Sequence, residues 1–352
     1  MDKKEFTEVL LYWYDRNQRI LRWRESRDPY RIWVSEIMLQ QTRVEAVKPY
    51  YERFIETLPD IESLANAEEE VLMNLWQGLG YYNRVRNMQI AAKTMVEKFS
   101  GKFPDTYEEI LSLKGIGEYT AGAVASIAYG IPVPAVDGNV LRVFSRFLEN
   151  YEDILKQSTK KKITEYILEL MPKERAGDFN QAVMELGAMV CIPNGAPLCE
   201  QCPVASCCIA RKKDLLDCIP VKKKKTQRKI EKRFLFVMEY RNEVAIIKRK
   251  NSGLLAGLWE FPNVEIGKID GSKAEIMRHS LERFAVCDYD LIEEKEGKHI
   301  FSHIEWQLKA VKIKIKEKPK DKKLVFVKKS EIEDYAIPTA FKLGKDLLKD
   351  HG

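Results

Sequence analysis

The sequence is short of three features, and each shortage excludes a class of protein. No apolar run among its 352 residues is long enough to span a membrane, and polar residues interrupt residues 1–18, where a signal peptide would have its apolar core. Cysteine is scarce outside one segment, since five of the seven lie between Cys191 and Cys208, a poor spacing for a secreted disulfide framework. A large excess of one charge is also absent, with 59 Lys plus Arg against 53 Asp plus Glu. We therefore expect an intracellular protein, neither secreted nor in a membrane, whose net charge of +6 permits a polyanionic partner without requiring one.

Hydrophobic periodicity divides the chain into two parts. From Glu5 to about Ala210, apolar residues recur at spacings of three and four, which predicts helices. The basic stretch "VKKKKTQRKIEKR" breaks this pattern, and beyond it alternating apolar residues predict strands with two helical segments. The predicted organisation is an all-α domain over 1–216, a basic linker over 217–232 and an α+β domain over 233–352.

Two local predictions complete this outline. Ser158 and Thr159 are residue types typical of a helix start, and they predict a cap for the helix that follows them. The strand containing Val311, Ile313 and Ile315 alternates with lysines, which is typical of a protected sheet edge.

The cysteine-rich segment has the spacing of a metal-binding loop. Cys191, Cys199, Cys202 and Cys208 are separated by seven, two and five residues, and Cys207 competes for the last position. Four thiolates in so short a loop can hold tetrahedral zinc or an iron–sulfur cluster. The four histidines lie elsewhere, so the residue types alone leave zinc and iron open.

The segment "LKGIGEYTAGAVASIAYG" predicts a tight turn between two helices. Gly115 and Gly117 stand between a helix ending near Leu113 and another beginning near Glu118. Glycines there leave backbone N–H groups bare at a helix N-terminus, where a phosphate binds well. An ordinary helix–helix turn is the alternative interpretation.

Two carboxylates stand in apolar surroundings on either side of this turn. Glu36 interrupts the apolar helix "WVSEIMLQQTRV", and Asp137 precedes the helix in "VDGNVLRV", where helix capping is the simpler interpretation. Paired carboxylates suit cleavage of a glycosidic bond, because one can be protonated for the leaving group while the other faces a cationic sugar.

These motifs together resemble the helix-hairpin-helix DNA glycosylase superfamily, which includes endonuclease III. The glycine hairpin, the aspartate after it and the four-cysteine loop carry this resemblance, and the family's first cysteine gap is one residue shorter than the gap here. The motifs "WVSEIMLQQTRV", "GLGYYNRVRN", "VDGNVLRV", "GLWEFP" and "FSH" are similar to the branch of that superfamily that removes adenine opposite 8-oxoguanine. The resemblance covers nearly the whole chain.

The resemblance implies an activity and a set of site residues. The activity is hydrolysis of the N-glycosidic bond of adenine paired with 8-oxoguanine or guanine in duplex DNA. The resemblance also implies a monomer that acts inside the cell, in a bacterium in the cytoplasm at the nucleoid. Glu36 would protonate the adenine and Asp137 would stabilise the sugar cation. The remaining implied residues are Tyr119 and Asn139 as supporting groups, Gln41 and Tyr81 as wedges in the duplex, and Gly115 and Gly117 on the DNA backbone. The cysteine loop would hold a [4Fe–4S] cluster rather than zinc.

The same resemblance makes two further distinctions. Relatives with lyase activity carry a lysine at the position of Tyr119, and a phenol cannot form an imine, so strong lyase activity is not expected. The C-terminal domain resembles the Nudix-like, MutT-like fold, but its helix "EIMRHSLERF" lacks the acidic residues of a Nudix hydrolase. We expect this domain to recognise 8-oxoguanine through Phe301, Ser302 and His303. The alternative interpretation of these three residues is an ordinary hairpin tip without a binding role. A bifunctional glycosylase/lyase and a DNA-binding protein without enzymatic activity are the competing functions.

Overall fold

The computed structural model describes residues 3–223, 228–266 and 272–349, and residues 224–227 of the predicted linker lie outside them. The chain forms two compact units. Unit 1 comprises Met1–Ala67 and Asn83–Lys224, and unit 2 comprises Glu68–Tyr82 and Lys225–Gly352. Residues 68–82 thus group with the C-terminal part of the chain. The predicted boundaries at 216 and 233 stay a prediction.

The described part of the chain before the basic segment is helical, as predicted. The helices are α1 Lys3–Asn17, α2 Pro29–Leu39, α3 Val44–Thr57, α4 Ile61–Asn66, α5 Glu69–Leu75, α6 Asn83–Phe99, α7 Tyr107–Ser112, α8 Glu118–Tyr129, α9 Gly138–Phe147, α10 Gln157–Leu170, α11 Ala176–Met189 and α12 Ile209–Lys212. Of these, α5 belongs to unit 2. No helix among the described residues is both long enough and apolar enough to cross a membrane.

Two helices of unit 1 show why the chain folds as it does around the site. Asp28 caps α2 by accepting the backbone N–H of Tyr30, and Pro29 occupies the first turn, where its missing N–H costs nothing. The helix is then buried over most of its length, from Tyr30 to Met38. Helix α9 is strongly amphipathic, and its apolar side joins α1, α10 and α11 in one core around Phe144 and Phe179.

Unit 2 is built on a mixed sheet. Its strands are β1 Lys229–Tyr240, β2 Glu243–Lys248, β3 Trp259–Glu260, β4 Asn263–Glu265, β5 Tyr289–Ile300, β6 Ile304–Ile315 and β7 Val325–Lys328. The order is β3-β2-β1-β6-β5, with β4 paired to β1 and β7 to β2. Strands β1 and β6 are parallel, whereas β5 and β6 form an antiparallel hairpin. Each face of the sheet carries its own apolar core, one against α14 Lys342–Leu348 and the other against α13 Lys273–Glu282.

The prediction that the lysine-studded strand forms a sheet edge is wrong. This strand is β6, which lies between β1 and β5. Lys312 is tolerated in this interior position because its ammonium lies 3.3 Å from the carboxylate of Glu239 on β1, while its side chain is only 10% exposed. At Lys312 the charged residue in the apolar pattern therefore reflects a buried ion pair rather than an edge, whereas Lys314 is exposed.

Two element boundaries also differ from those predicted. Helix α10 begins at Gln157, so Ser158 and Thr159 lie inside its first turn instead of capping it, and Thr159 donates its hydroxyl to Glu152. Strand β1 begins at Lys229, within the stretch interpreted as linker, because Lys229 and Lys232 pair with β6. Strand β5 has few apolar residues and was not predicted from the sequence.

Candidate active site

A cavity of about 670 Å³ opens in unit 1 where α2, α8, α9 and α11 come together. Six of the residues singled out from the sequence line it: Glu36, Gln41, Gly117, Tyr119, Asp137 and Asn139. They come from three separate stretches of the chain, and the fold brings them to one cavity. Tyr81, Gly115 and the Phe301–His303 turn are not part of this lining.

Glu36 is held in the cavity wall as a buried carboxyl group. Its side chain projects from α2, and the residue is 7% exposed. Burial raises the pKa of Glu36 from 4.5 to about 7, the hydrogen bond from Tyr119 opposes this rise, and the negative charge of Asp137 adds to it. A carboxyl group with this pKa carries a transferable proton near neutral pH.

Tyr119 is the hydrogen-bond partner of Glu36. The phenol donates to Glu36 Oε2 at 2.5 Å, and burial together with the neighbouring carboxylates raises its pKa well above the ordinary value. The phenol therefore stays protonated and fixes the orientation of the carboxyl group. As the second residue of α8, it is carried to this position by the glycine turn.

Asp137 caps α9 and faces the cavity at the same time. Its Oδ1 accepts the backbone N–H of Val140 at 2.8 Å, and its Oδ2 accepts the side-chain amide of Asn139 at 2.7 Å. Burial raises the pKa of Asp137, and these hydrogen bonds oppose the rise by stabilising the ionised form. Arg142 donates to Asn139 Oδ1 at 2.9 Å and so holds the amide in place.

The glycine turn has the predicted position and a steric requirement of its own. Helix α7 ends at Ser112 and α8 begins at Glu118, with Gly117 as its N-cap. Gly115 has a φ of +81°, and a Cβ there would lie 2.6 Å from Asn87 Cβ. Both the backbone conformation and the close approach of α6 therefore call for glycine. The prediction of two helices joined at these glycines is confirmed.

Sequence reasoning missed an ion-paired cluster that lines the same cavity. Glu185 on α11 is 1% exposed, and its carboxylate accepts hydrogen bonds from two arginines. Arg19 Nε lies at 2.7 Å and Arg24 Nη2 at 2.9 Å. Burial raises the pKa of Glu185, but the hydrogen bonds from the two guanidinium groups outweigh this and bring it to about 2. The one available signal was a glutamate inside the apolar run "AVMELGAM".

The two candidate wedges both have left-handed backbones. Gln41 follows α2 with a φ of +58°, and Tyr81 precedes α6 with a φ of +49°. The turn at Gln41 is braced by Arg84, whose Nη1 donates to the carbonyls of Ile37 and Gln40 at 2.6 and 2.8 Å. Both side chains are exposed, Tyr81 by 50%.

Four cysteines face one small apolar cavity beside α9 and α11. They are Cys191, Cys199, Cys202 and Cys208, and Cys207 is not in the lining. Arg146 donates to Cys191 Sγ at 3.3 Å. In the described part of the chain, no three His, Cys, Asp or Glu side chains converge on a single metal-ion position, these thiols included. Four thiols around one apolar space nevertheless fit a thiolate-held group.

The Phe301–His303 turn is the tip of the β5–β6 hairpin. Phe301 N–H donates to the carbonyl of Ile304 at 2.8 Å, and Ser302 Oγ lies 3.1 Å from His303 Nδ1. Phe301 packs edge-on against Trp306 at 4.9 Å, whereas Ser302 and His303 are exposed. The turn thus presents two polar side chains on an aromatic base.

Helix α13 is occupied by contacts that do not resemble a metal site. Glu275 accepts the backbone N–H and hydroxyl of Ser272 in a capping box, and Glu282 lies 3.3 Å from His279 Nδ1.

Known proteins match both parts of the chain. The model of the HhH-GPD superfamily of base excision DNA repair proteins matches residues 34–173, and a NUDIX domain model matches residues 233–343. A solved thermostable thymine-DNA glycosylase aligns with a TM-score of 0.54 at 28% identity, covering 60% of this chain and 97% of that one. An endonuclease III from a DNA complex aligns with a TM-score of 0.51 at 23% identity, a likeness of fold. Fold and site therefore define a base excision DNA repair protein with a Nudix-type second domain, and the predicted fold class is confirmed.

Curated proteins that are similar over most of the chain identify the family within this class. The adenine DNA glycosylase of Schizosaccharomyces pombe is 34% identical over 86% of this chain and 80% of its own length. That of Homo sapiens is 36% identical over 85% of this chain, which spans 65% of the human protein. The chain belongs to the adenine DNA glycosylase family. The prediction of an adenine-specific DNA glycosylase is confirmed at the level of the family.

Proposed function

We propose that this protein removes adenine paired with 8-oxoguanine, or with guanine, from duplex DNA by hydrolysing the N-glycosidic bond. The observation that supports this best is one cavity lined by a buried carboxyl group with a pKa of about 7 and by a second carboxylate that caps a helix. Cleavage of a glycosidic bond needs both, because the leaving base takes a proton while the sugar becomes cationic. The reaction is the first step of base excision repair inside the cell, carried out by a monomer.

Glu36 is the general acid of the proposed mechanism. It protonates the adenine ring, so that the base leaves as a neutral molecule. Tyr119 keeps the carboxyl group in position through its hydrogen bond to Oε2. Since Tyr119 has no amine, attack on the sugar to form an imine is not available at this position, and the enzyme is monofunctional.

Asp137 is the carboxylate that stabilises the oxocarbenium-like sugar. The donors Val140 N–H and Asn139 Nδ2 lie at 2.8 and 2.7 Å, and they favour the ionised form that the sugar cation requires. The bare N–H groups at the start of α8, beside Gly115 and Gly117, bind a DNA phosphate and bring the sugar to the cavity.

The adenine must leave the base stack to reach Glu36, and flipping costs a few kcal/mol. Gln41 and Tyr81 compensate by entering the duplex. Their left-handed backbones support this assignment, because strained non-glycine residues persist where function requires a fixed side chain. The Ser302 and His303 side chains at the β5–β6 turn read 8-oxoguanine on the opposite strand.

Cys191, Cys199, Cys202 and Cys208 hold a [4Fe–4S] cluster in this proposal. The apolar cavity and the N–H of Arg146 directed at Cys191 Sγ are features that stabilise thiolate-bound clusters. When bound, the cluster would cross-link the segment between α11 and α12, which carries all four cysteines. Arg142 then contacts this segment at Cys191 O and Asn139 at the catalytic end of α9.

The test is single-turnover cleavage of a duplex with a labelled adenine opposite 8-oxoguanine, scored after alkali. We expect strand breaks only after alkali, no product trapped by borohydride, and faster excision opposite 8-oxoguanine than opposite guanine. Ser302→Ala/His303→Ala in the full chain should reduce that preference, with Ser100→Ala as an exposed serine control in unit 1. Strand cleavage without alkali would instead indicate a glycosylase/lyase, and an absence of adenine release would refute the proposal.

A further inference from the structure

The segment that carries Tyr81 belongs to the C-terminal unit, although α4 and α6 of unit 1 flank this segment in the chain. Residues Glu68–Tyr82 form part of unit 2 together with the sheet. This segment consists of α5, a turn through Gly78 and Gly80, and Tyr81 itself. The candidate wedge is therefore carried by the same unit as the Phe301–His303 turn.

Two side-chain amides attach the segment to unit 2. Asn74 Nδ2 donates to the carbonyl of Asp334 at 3.0 Å, and Gln77 Nε2 donates to the carbonyl of Ile337 at 3.2 Å. Both acceptors are backbone atoms, at either end of residues 334–337. The two amides thus hold residues 68–82 to that backbone at two points, which fixes the orientation of the segment as well as its position.

The chain between these amides and Tyr81 is tightly constrained. Trp76 is fully buried, and its indole N–H donates to the carbonyl of Gly80 at 3.1 Å. The Leu79 N–H donates to the carbonyl of Trp76 at 3.1 Å. A displacement at Gln77 is therefore passed on to Tyr81, two residues beyond Leu79.

Residues 334–337 are in turn fixed to the sheet and its core. The Trp259 N–H on β3 donates to the carbonyl of Ala336 at 3.2 Å, and Tyr335 packs edge-on against Trp259. Ile337 is 2% exposed in the core that contains Trp306, against which Phe301 packs. Packed contacts thus run without interruption from the Phe301–His303 turn to residues 334–337.

We propose that Asn74 and Gln77 are positioning residues through which the C-terminal unit sets the Tyr81 turn. Reading of the damaged base by the Phe301–His303 turn and entry of Tyr81 into the duplex are then one event. The inference rests on the proposed function and adds a specificity device to it. It requires that preference for 8-oxoguanine depends on two amides that contact neither the damaged base nor the adenine.

The experiment uses the full chain with Asn74→Ala/Gln77→Ala. Half-saturating protein concentration and the maximal single-turnover rate are measured for adenine opposite 8-oxoguanine and opposite guanine. Loss of two hydrogen bonds should raise the half-saturating concentration for the 8-oxoguanine duplex by about tenfold, while the maximal rate stays unchanged. The matched control is Gln89→Ala. It removes a hydrogen bond of 2.6 Å from the side-chain amide to the carbonyl of Ala67 within unit 1, and it should leave the preference for 8-oxoguanine intact.

A second arm separates positioning from general stability. In a Tyr81→Ala background, Asn74→Ala/Gln77→Ala should cause no further loss of preference, because the amides act through Tyr81. If alanine reduces folding, Gln77→Met keeps most of the side-chain shape and removes the donor without adding a charge. An unchanged preference, or an equal further loss without Tyr81, overturns the inference while wild-type excision of adenine leaves the proposed function standing. Wild-type protein that releases no adenine from either duplex refutes both.

Discussion

Substitution of Glu36 by glutamine removes the proposed proton donor while keeping the side-chain shape and an acceptor for Tyr119. General acid catalysis by a positioned side chain contributes about 10²- to 10⁴-fold, so we expect base release to fall by about that factor. DNA binding should change little, because Glu36 is buried in the cavity wall.

The pKa of Glu36 adds a quantitative signature in pH. With a pKa of about 7, the carboxyl group of the wild-type protein is mostly protonated at pH 6 and mostly ionised at pH 8. The wild-type excision rate should therefore fall about tenfold for each pH unit above 7 if this proton limits the rate. The glutamine variant has no such group, and its residual rate should lack this limb.

Glu36→Gln should have opposite effects on activity and stability, because the buried carboxyl group of the wild type costs stability when it ionises. The pKa of Glu36 is 4.5 when exposed and about 7 in the folded protein, so folding retains a proton between these two values. The free energy of unfolding of the wild type should decrease as pH rises through this window, by about 3 kcal/mol in total. Glutamine carries no such cost, so Glu36→Gln should be more stable than the wild type at pH 8, by up to about 3 kcal/mol.

Two measurements check these expectations. Single-turnover excision from the 8-oxoguanine:adenine duplex is followed from pH 5.5 to about 8.5, and urea unfolding is measured at both ends. Glu97→Gln on α6 is the control, since it removes an exposed carboxylate of the same unit. A wild-type rate that does not change between pH 6 and 8, together with undiminished excision by Glu36→Gln, would refute the assignment of Glu36 as the acid.

Further predictions concern other residues of the site. Tyr119→Phe removes the hydrogen bond that lowers the pKa of Glu36, so the alkaline limb of the pH–rate profile should move to higher pH. Cys208→Ser should reduce bound iron and the visible absorbance of purified protein, whereas Cys207→Ser should retain both, because only Cys208 lines the thiol cavity; equal loss in the two variants would contradict this. Glu185→Gln leaves two guanidinium groups without their carboxylate and should cost about 3 kcal/mol in urea unfolding at pH 7. That difference should shrink as pH falls from 4.5 toward 2, the window in which the wild-type carboxyl group becomes protonated.

Sequence reasoning was reliable where one segment contained its own signal. The glycine turn is an example, because Gly115 and Gly117 interrupt helical periodicity and the turn depends on Gly115 itself. Glu36 was noticeable for the same reason, as a carboxylate in an apolar helix. That Glu36, Tyr119 and Asp137 share one cavity depends on the packing of α2, α8 and α9, and here the resemblance to known glycosylases supplied what periodicity could not.

The features that sequence reasoning missed depend on pairing between distant segments. Arg19 and Arg24 lie about 160 residues from Glu185, and nothing in their local sequence indicates an ion pair. Lys312 was misinterpreted for a related reason, since its partner Glu239 lies on another strand. A charged residue in an apolar pattern is equally consistent with an exposed edge and with a buried pair, and only the tertiary structure distinguishes them.

Asp137 illustrates how a structural role and a catalytic role can be one. Helix capping was the simpler interpretation of this residue, and the cap is present at Val140 N–H. A cap fixes the carboxylate against the helix N-terminus, where the helix dipole and the donated hydrogen bonds favour negative charge. Ionisation under burial is the property required of a group that faces a sugar cation. Capping is therefore the means by which the fold keeps this carboxylate charged in the cavity, and it does not compete with the proposed role.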